Sequence, residues 1–468
     1  MSTRASTGEV TATLADFVAR TSFDALPREV VHTARRMILD VVGVAIAGAA
    51  DSLFSPVRAL STAAGSGEVP TPVAKRLDAP WAALVVGSAA HLLDYDDVHT
   101  LCGHPSATLL PVAFSLGYLL HSSGSEVIRA FALGAEVEAR VGAAINPAHY
   151  SIGWHPTSVI GALGAAAAAS CLLGLNAEET RRAFGIAASH SSGTKANFGT
   201  SVKSLHAGMA GRAGVEAALF ARAGATANDR ILDQQFGGFC ELFTTSADRS
   251  KMIDRLGERY LLLDPGVGFK LLPCCGSTQA AVWAVIDLWQ AHRLDPKRIR
   301  SIRTRVDKRR LDHTNRPRVA TGLEGKFSTQ YCQAVAALRG ALGLADFEDE
   351  VVLEPDRQEM MRRVELTAAQ DASDWFDAAS SGTGSRAASV EIELDDGTVY
   401  HTFSRGPRGY PALPASDDDL RVKFLDCAGR GLDADSAGRL ADRLLDLESV
   451  PDLAPIVEAA WKRVMSDE

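Results

Sequence analysis

Residues 91–106 read His-Leu-Leu-Asp-Tyr-Asp-Asp-Val-His-Thr-Leu-Cys-Gly-His-Pro-Ser. The stretch closes one apolar run, 81–93, and leads into another, 107–120. Charge this close to apolar helices must be paired or hydrogen-bonded, so the fold has to bring partners to these acids and imidazoles. Such a cost usually marks a site. The plain alternative is a wet inter-helix loop whose acids cap helix ends.

The apolar spacing around that stretch is helical. Val30, Val31, Ala34, Met37, Ile38, Val41 and Val42 fall on an i, i+3, i+4 pattern within 27–50. The same reading gives helices at 8–22, 80–94, 107–121, 124–145, 159–173, 177–189, 206–223 and 276–291. Gly65, Gly67, Pro70 and Pro72 make 51–79 a loop with at most short structure. The character changes near 296. Residues 298–307, 363–367 and 390–394 read as strands, and Asp395-Asp396-Gly397 turns the last into a hairpin with 398–403. A helix of 328–342 lies between them, and the pattern is helical again from Asp417. At 468 residues two domains are the default. The expected fold is mainly α. A large all-α domain is built from both chain ends, 1–267 and 406–468, and a smaller α+β domain of 268–405 is inserted.

Composition narrows the partners. Hydrophobic residues are 46% and charged residues 22%, as in a globular chain. Net charge is −9 without a long basic run, so nucleic acid is not an expected partner. An anionic substrate would need a locally basic pocket. Seven cysteines without a Cys-x-x-Cys repeat argue against a disulfide framework or zinc finger and fit reduced thiols. Residues 1–10 carry no apolar signal core, and no apolar run is long enough to span a bilayer. A cytoplasmic protein off the membrane is expected.

His104 and His155 share a local design, His-Pro-Ser and His-Pro-Thr. Proline at the first helical position places the preceding histidine at the N-cap, beside unpaired N–H groups. Two such helix starts facing one cavity would receive a polyanion; singly, His-Pro is ordinary helix-start chemistry. His91, Asp94 and Asp97 are spaced by three and share a face if the helix persists. Asp94 would orient an imidazole or act as a base. A competing reading is a divalent metal site of Asp94, Asp97, His99 and His104. Asp96 and Asp97 otherwise read as solvated. Lys203 and Lys270 are lone cations in weakly polar settings, either snorkelling or binding anions. Cys274 and Cys275 precede a helix start, but with no evident basic partner they read as packing.

Together these segments resemble the MmgE/PrpD family, which includes 2-methylcitrate dehydratase, cis-aconitate decarboxylase and iminodisuccinate epimerase. The matching pieces are residues 91–97 with His104-Pro-Ser-Ala107, Gly153-Trp-His-Pro-Thr157, Val202-Lys-Ser-Leu-His206 with Gly208, Phe269-Lys270 with Pro273-Cys-Cys-Gly-Ser-Thr278, and Lys326-Phe327-Ser328. Their order holds from about residue 10 to 430. The resemblance implies a helical body, an α+β lid, a homodimer, and a metal-free active site without cofactor on Asp94, His104, His155, Lys203 and Lys270. Val98 and Gln279 stand where relatives often place threonine and histidine. The expected reaction is proton chemistry next to a carboxylate of a small di- or tricarboxylic acid. Lys203 and Lys270 would clamp carboxylates, with His155 as a second acid or ligand. Dehydration comes first, decarboxylation or epimerisation in the same pocket second, and a non-catalytic binding protein last.

Overall fold

The computed structural model describes residues 9–369 and 386–462. These residues are mainly helical. The principal helices of the first half are Val10–Arg20, Arg28–Ala50, Ala79–Leu92, Pro105–Val112, Gly124–Ile145, Gly161–Leu172, Ala177–His190 and Val202–Arg222. The segment read as a loop holds the Ser55–Ser61 helix and a two-stranded pair, Val69–Pro70 with Arg76–Leu77. Among the described residues no single helix is long and apolar enough to cross a membrane.

One apolar core draws its buried side chains from Val10 to Phe269 and again from Ala415 to Trp461. The helices Asp417–Ala428, Ala434–Leu445 and Ala454–Trp461 thus return to the first half of the chain. A second core draws on Leu272 to Leu394. It is built on a four-stranded sheet in the order Val364–Ala368, Ile299–Val306, Ala388–Leu394, Val399–Ser404. The first pair is parallel and the others antiparallel. Ile302, Thr304 and Val306 are buried while Arg303 and Arg305 are exposed, and Arg303 reaches Glu391 at 2.9 Å. That alternation is what the strand pattern predicts.

Two glycines set the register that matters for function. A Cβ on Gly87 would lie 2.8 Å from Gly208 Cα, and one on Gly208 would lie 2.2 Å from Leu84 O. Only glycine lets the Ala79–Leu92 and Val202–Arg222 backbones approach this closely. The two helices run antiparallel. The end of the first, at His91, therefore lies against the start of the second, at Lys203.

Candidate active site

The Ala79–Leu92 helix stops two residues short of the expected end. Leu93 is its C-cap, and Asp94 takes a left-handed conformation with φ +50°. Glycine or asparagine usually fills such a position, and a strained aspartate there turns the chain away from the helix. His91, Asp94 and Asp97 consequently share no helical face. Asp96 and Asp97, expected to be solvated, are each 0% exposed. Asp97 caps the helix that begins at Pro105, accepting from Ser106 Oγ at 2.6 Å and Ser106 N at 3.3 Å. Asp96 instead faces imidazoles. Its oxygens lie 2.9 and 3.0 Å from His91 Nδ1, and Oδ2 lies 3.2 Å from His104 Nδ1.

The two lysines come to Asp94. Lys203 Nζ donates to Asp94 Oδ1 at 2.8 Å and to His91 Nε2 at 2.8 Å. Lys270 Nζ donates to the Asp94 carbonyl at 2.7 Å and lies 3.0 Å from Asp94 Oδ1. Neither snorkels; both are buried. Burial alone would raise the Asp94 carboxyl, but Lys203 and Lys270 hold it below the usual carboxylate range. The two ammonium groups thus favour the charged form of the Asp94 carboxyl. Burial opposes the charge on Lys270, yet Asp94 raises its pKa above the ordinary lysine value.

Both His-Pro histidines sit at helix starts. His104 occupies the N-cap position of Pro105–Val112 and His155 that of Pro156–Val159, each with proline at the first helical position and neither with a side-chain cap bond. Thr157 Oγ1 accepts from His104 N at 3.1 Å, which ties the two mouths together. Burial lowers the pKa of His104 and lowers that of His155 well below the ordinary imidazole value, with Lys203 adding to the second shift. His155 Nδ1 meets His206 Nδ1 at 2.9 Å, so one of the two rings donates and the other accepts. His104 has its Nε2 3.9 Å from Asp94 Oδ1. Its side chain is 12% exposed, whereas that of His91 is 0% exposed.

Asp94, His104, His155, Lys203 and Lys270 line one cavity of about 130 Å³. All five expected site residues are thus brought together. Sequence reasoning missed Ser277, Arg310, His313 and Arg386, which also line the cavity. It also missed Asp96, although that residue lies in the stretch that drew attention first. Cys275 lines the cavity as well, and burial raises its thiol pKa. A basic partner does exist near these cysteines. Lys326 Nζ donates to Pro273 O at 2.9 Å, and burial lowers its pKa to about 8. Val98 lines the cavity without a hydroxyl. Gln279 turns away and donates to Leu272 O at 2.9 Å and to Cys274 O at 3.2 Å.

The metal set expected from sequence does not assemble. Asp97 is spent on Ser106, and His99 Nε2 bonds Leu261 O at 2.9 Å. A different group, His91, Asp94, Asp96 and His104, has ligand atoms within 4.8 Å of one another. Two ammonium groups already occupy the approach to the Asp94 carboxylate, and a divalent cation would meet both.

Residues 12–251 match the profile of the MmgE/PrpD N-terminal domain, and residues 272–447 that of the MmgE/PrpD C-terminal domain. The chain belongs to the MmgE/PrpD family. Among curated relatives, cis-aconitate decarboxylase of Mus musculus is 30% identical over 98% of this chain and 95% of its own length. The Homo sapiens enzyme of the same name is 30% identical over 91% of this chain and 89% of its own. The Aspergillus terreus one is 27% identical over 96% and 95%. The chain is an enzyme, a lyase of this family. The expectation that put dehydration first is corrected in emphasis, because these relatives are named for decarboxylation.

Proposed function

We propose that this MmgE/PrpD enzyme decarboxylates cis-aconitate or a close tricarboxylate. The observation that carries the reading is the convergence of Lys203 and Lys270 on Asp94 beside His104 in one small cavity. An ammonium has three donors. Lys203 directs N–H groups to His91 and Asp94, and Lys270 to the Asp94 carbonyl and carboxylate, so each keeps one N–H for substrate. The names and full-length similarity of the relatives support the choice among lyase reactions.

Loss of CO₂ from the CH₂-carboxylate of cis-aconitate leaves an electron pair on carbon. The pair moves through the double bond onto the carbon next to the far carboxylate, as an aci-carboxylate. Cations in a water-poor site stabilise that charge. One proton then closes the reaction and gives 2-methylenebutanedioate. His104 delivers it from Nε2, and the Asp96 carboxylate, with Oδ2 3.2 Å from Nδ1, supports the charged form of the ring. Each turnover consumes one proton, and His104, the more exposed imidazole, recovers it from solvent. His155 serves as carboxylate ligand or second acid.

In this reading residues 268–405 act as a lid over the body. The enzyme works as a cytoplasmic homodimer without metal or cofactor. Family resemblance supports the lid and the dimer, and the lysine-filled acid cluster supports the metal-free route. Lys203→Ala and His104→Ala are expected to abolish turnover of cis-aconitate while leaving the helical circular dichroism intact. Unchanged activity in either variant removes that residue from the mechanism.

A further inference from the structure

His206 does not line the cavity, yet it bonds a residue that does. It stands one turn after Lys203 on the Val202–Arg222 helix, so the two side chains leave the same face. Lys203 goes to Asp94 and His91. His206 goes to His155, with Nδ1 2.9 Å from Nδ1. Both rings are buried. The pair is held from several sides. His155 N donates to Gly193 O at 3.0 Å, and Ser158 Oγ lies 3.5 Å from His206 O. A Cβ on Gly193 would lie 2.7 Å from Ser158 Oγ and 3.4 Å from His206 Cδ2, so glycine lets that loop pass this close. Phe198, which also lines the cavity, meets the His155 ring edge to face with centroids 4.9 Å apart.

We infer that His206 is a positioning residue: it donates from Nδ1 to His155 Nδ1 and so presents His155 to the bound acid as a neutral Nε2–H donor. The inference rests on the proposed function, because it takes the cavity to be where the acid binds. Burial and then the Lys203 ammonium lower the pKa of both imidazoles. Both rings are therefore neutral at neutral pH, and each carries one N–H. The proton in the Nδ1–Nδ1 contact belongs to one ring only. If it sat on His155, Nε2, the nitrogen left for a ligand, would carry a lone pair. A carboxylate also offers lone pairs only, and the two would repel. With the shared proton on His206, His155 keeps its own on Nε2 and bonds the carboxylate. A bound acid selects that arrangement, because only it gains a hydrogen bond. Of the two roles open to His155, this one makes it a carboxylate ligand and leaves proton delivery to His104.

The test reads the tautomer directly and needs no turnover. Full-length protein labelled with ¹⁵N-histidine is studied by two-bond proton–nitrogen NMR with propane-1,2,3-tricarboxylate bound, and His155→Gln assigns the ring. The wild type is expected to show a protonated Nε2 and an unprotonated Nδ1 on His155. Two substitutions of equal size then separate donation from bulk. An asparagine amide can donate where His206 Nδ1 stands, whereas an aspartate can only accept. His206→Asn should bind the tricarboxylate within about threefold of wild type by calorimetry. His206→Asp should move the His155 proton to Nδ1 and weaken binding by about ten- to a hundredfold, the span of one charge-assisted hydrogen bond. The role is overturned if the wild type carries its His155 proton on Nδ1 with acid bound, or if the two variants bind alike. Should a thermal melt show His206→Asp unfolded, the wild-type spectrum and His206→Asn decide. Failure of cis-aconitate turnover with Nε2 protonated would count against the reaction and leave the positioning role standing. Turnover with Nδ1 protonated would do the reverse.

Discussion

Lys203 Nζ stands 2.8 Å from His91 Nε2. An ammonium offers only donors, so Nε2 accepts and the ring proton sits on Nδ1, toward Asp96. Burial lowers the His91 pKa to about 3, which keeps that ring neutral. Asp96 then turns its Oδ2 toward His104 Nδ1 as well. Of the nitrogens on these two rings, His104 Nε2 is the one left for proton traffic with substrate.

Asp96→Asn should lower kcat by about 10²–10⁴-fold, because an amide no longer fixes the ring or supports its charge. KM should change little, since Asp96 does not line the cavity. Steady-state kinetics with a thermal melt check it. A normal kcat in a folded variant would contradict the role given to Asp96.

Stability should fall with acid in a defined window. Burial lowers His91 to about 3, and His99, His149 and His313 each to about 4. An unfolded imidazole titrates near about 6.5. Between those values the unfolded chain binds protons that these folded imidazoles refuse, so their contribution to stability drops as pH falls from about 6.5 toward 4, while the buried carboxyls of Asp97 and Glu138, raised well above the usual range by burial, act in the opposite direction. Asp94 acts lower down. Its carboxyl is held below the usual range, so its contribution is lost only as pH falls below about 4. Melting temperatures from pH 8 to pH 4 read the curve. His99→Gln should make the upper slope shallower by up to about 1.4 kcal/mol per pH unit.

Lys423 props the 94–97 segment from behind. Its Nζ donates to Tyr95 O at 2.7 Å, pairs with Asp40 Oδ1 at 2.6 Å and lies 4.1 Å from the centroid of the Tyr95 ring. Tyr95 separates Asp94 from Asp96. Lys423→Met should cost about 3–5 kcal/mol by stranding Asp40, and adding Asp40→Asn should return most of it. Denaturant unfolding of both variants decides this. Equal stability of the single variant and the wild type would contradict the pairing.

Prolonged dialysis against a chelator should leave activity unchanged. Asp94, one of the His91, Asp94, Asp96, His104 group, already holds two ammonium groups. Lost activity that a divalent ion restores would refute the metal-free route.

Asp94, His104, His155, Lys203 and Lys270 were legible in the sequence because each stands at a point of local punctuation. His104 and His155 precede helix-starting prolines, and Asp94 follows the last turn of an apolar helix. Lys203 and Lys270 are single charges in apolar surroundings. Asp96 and Asp97 were misread because acids after a helix end look the same whether water or an imidazole awaits them. Their burial depends on Ser106 and on the ring at His104, which only the turn at Asp94 brings round. The helix carrying Lys203 begins at Val202, before the expected 206, and this first turn sets Lys203 against His91. The long helices and the strands of the four-stranded sheet were legible from periodicity, with bounds moved by a few residues, whereas the short helices Ser55–Ser61, Lys308–Thr314 and Pro355–Arg362 were not. Arg310, His313 and Arg386 carry no local mark; the helix of the first two is placed by Leu311, which packs against Val306, Leu366 and Ala388.

The most direct test is incubation of the purified enzyme with cis-aconitate in D₂O, followed by proton NMR and measurement of released CO₂. The account predicts one CO₂ per turnover and 2-methylenebutanedioate carrying one deuterium on its saturated methylene. A hydroxy-tricarboxylate formed without CO₂ would contradict it and return the enzyme to the hydro-lyases.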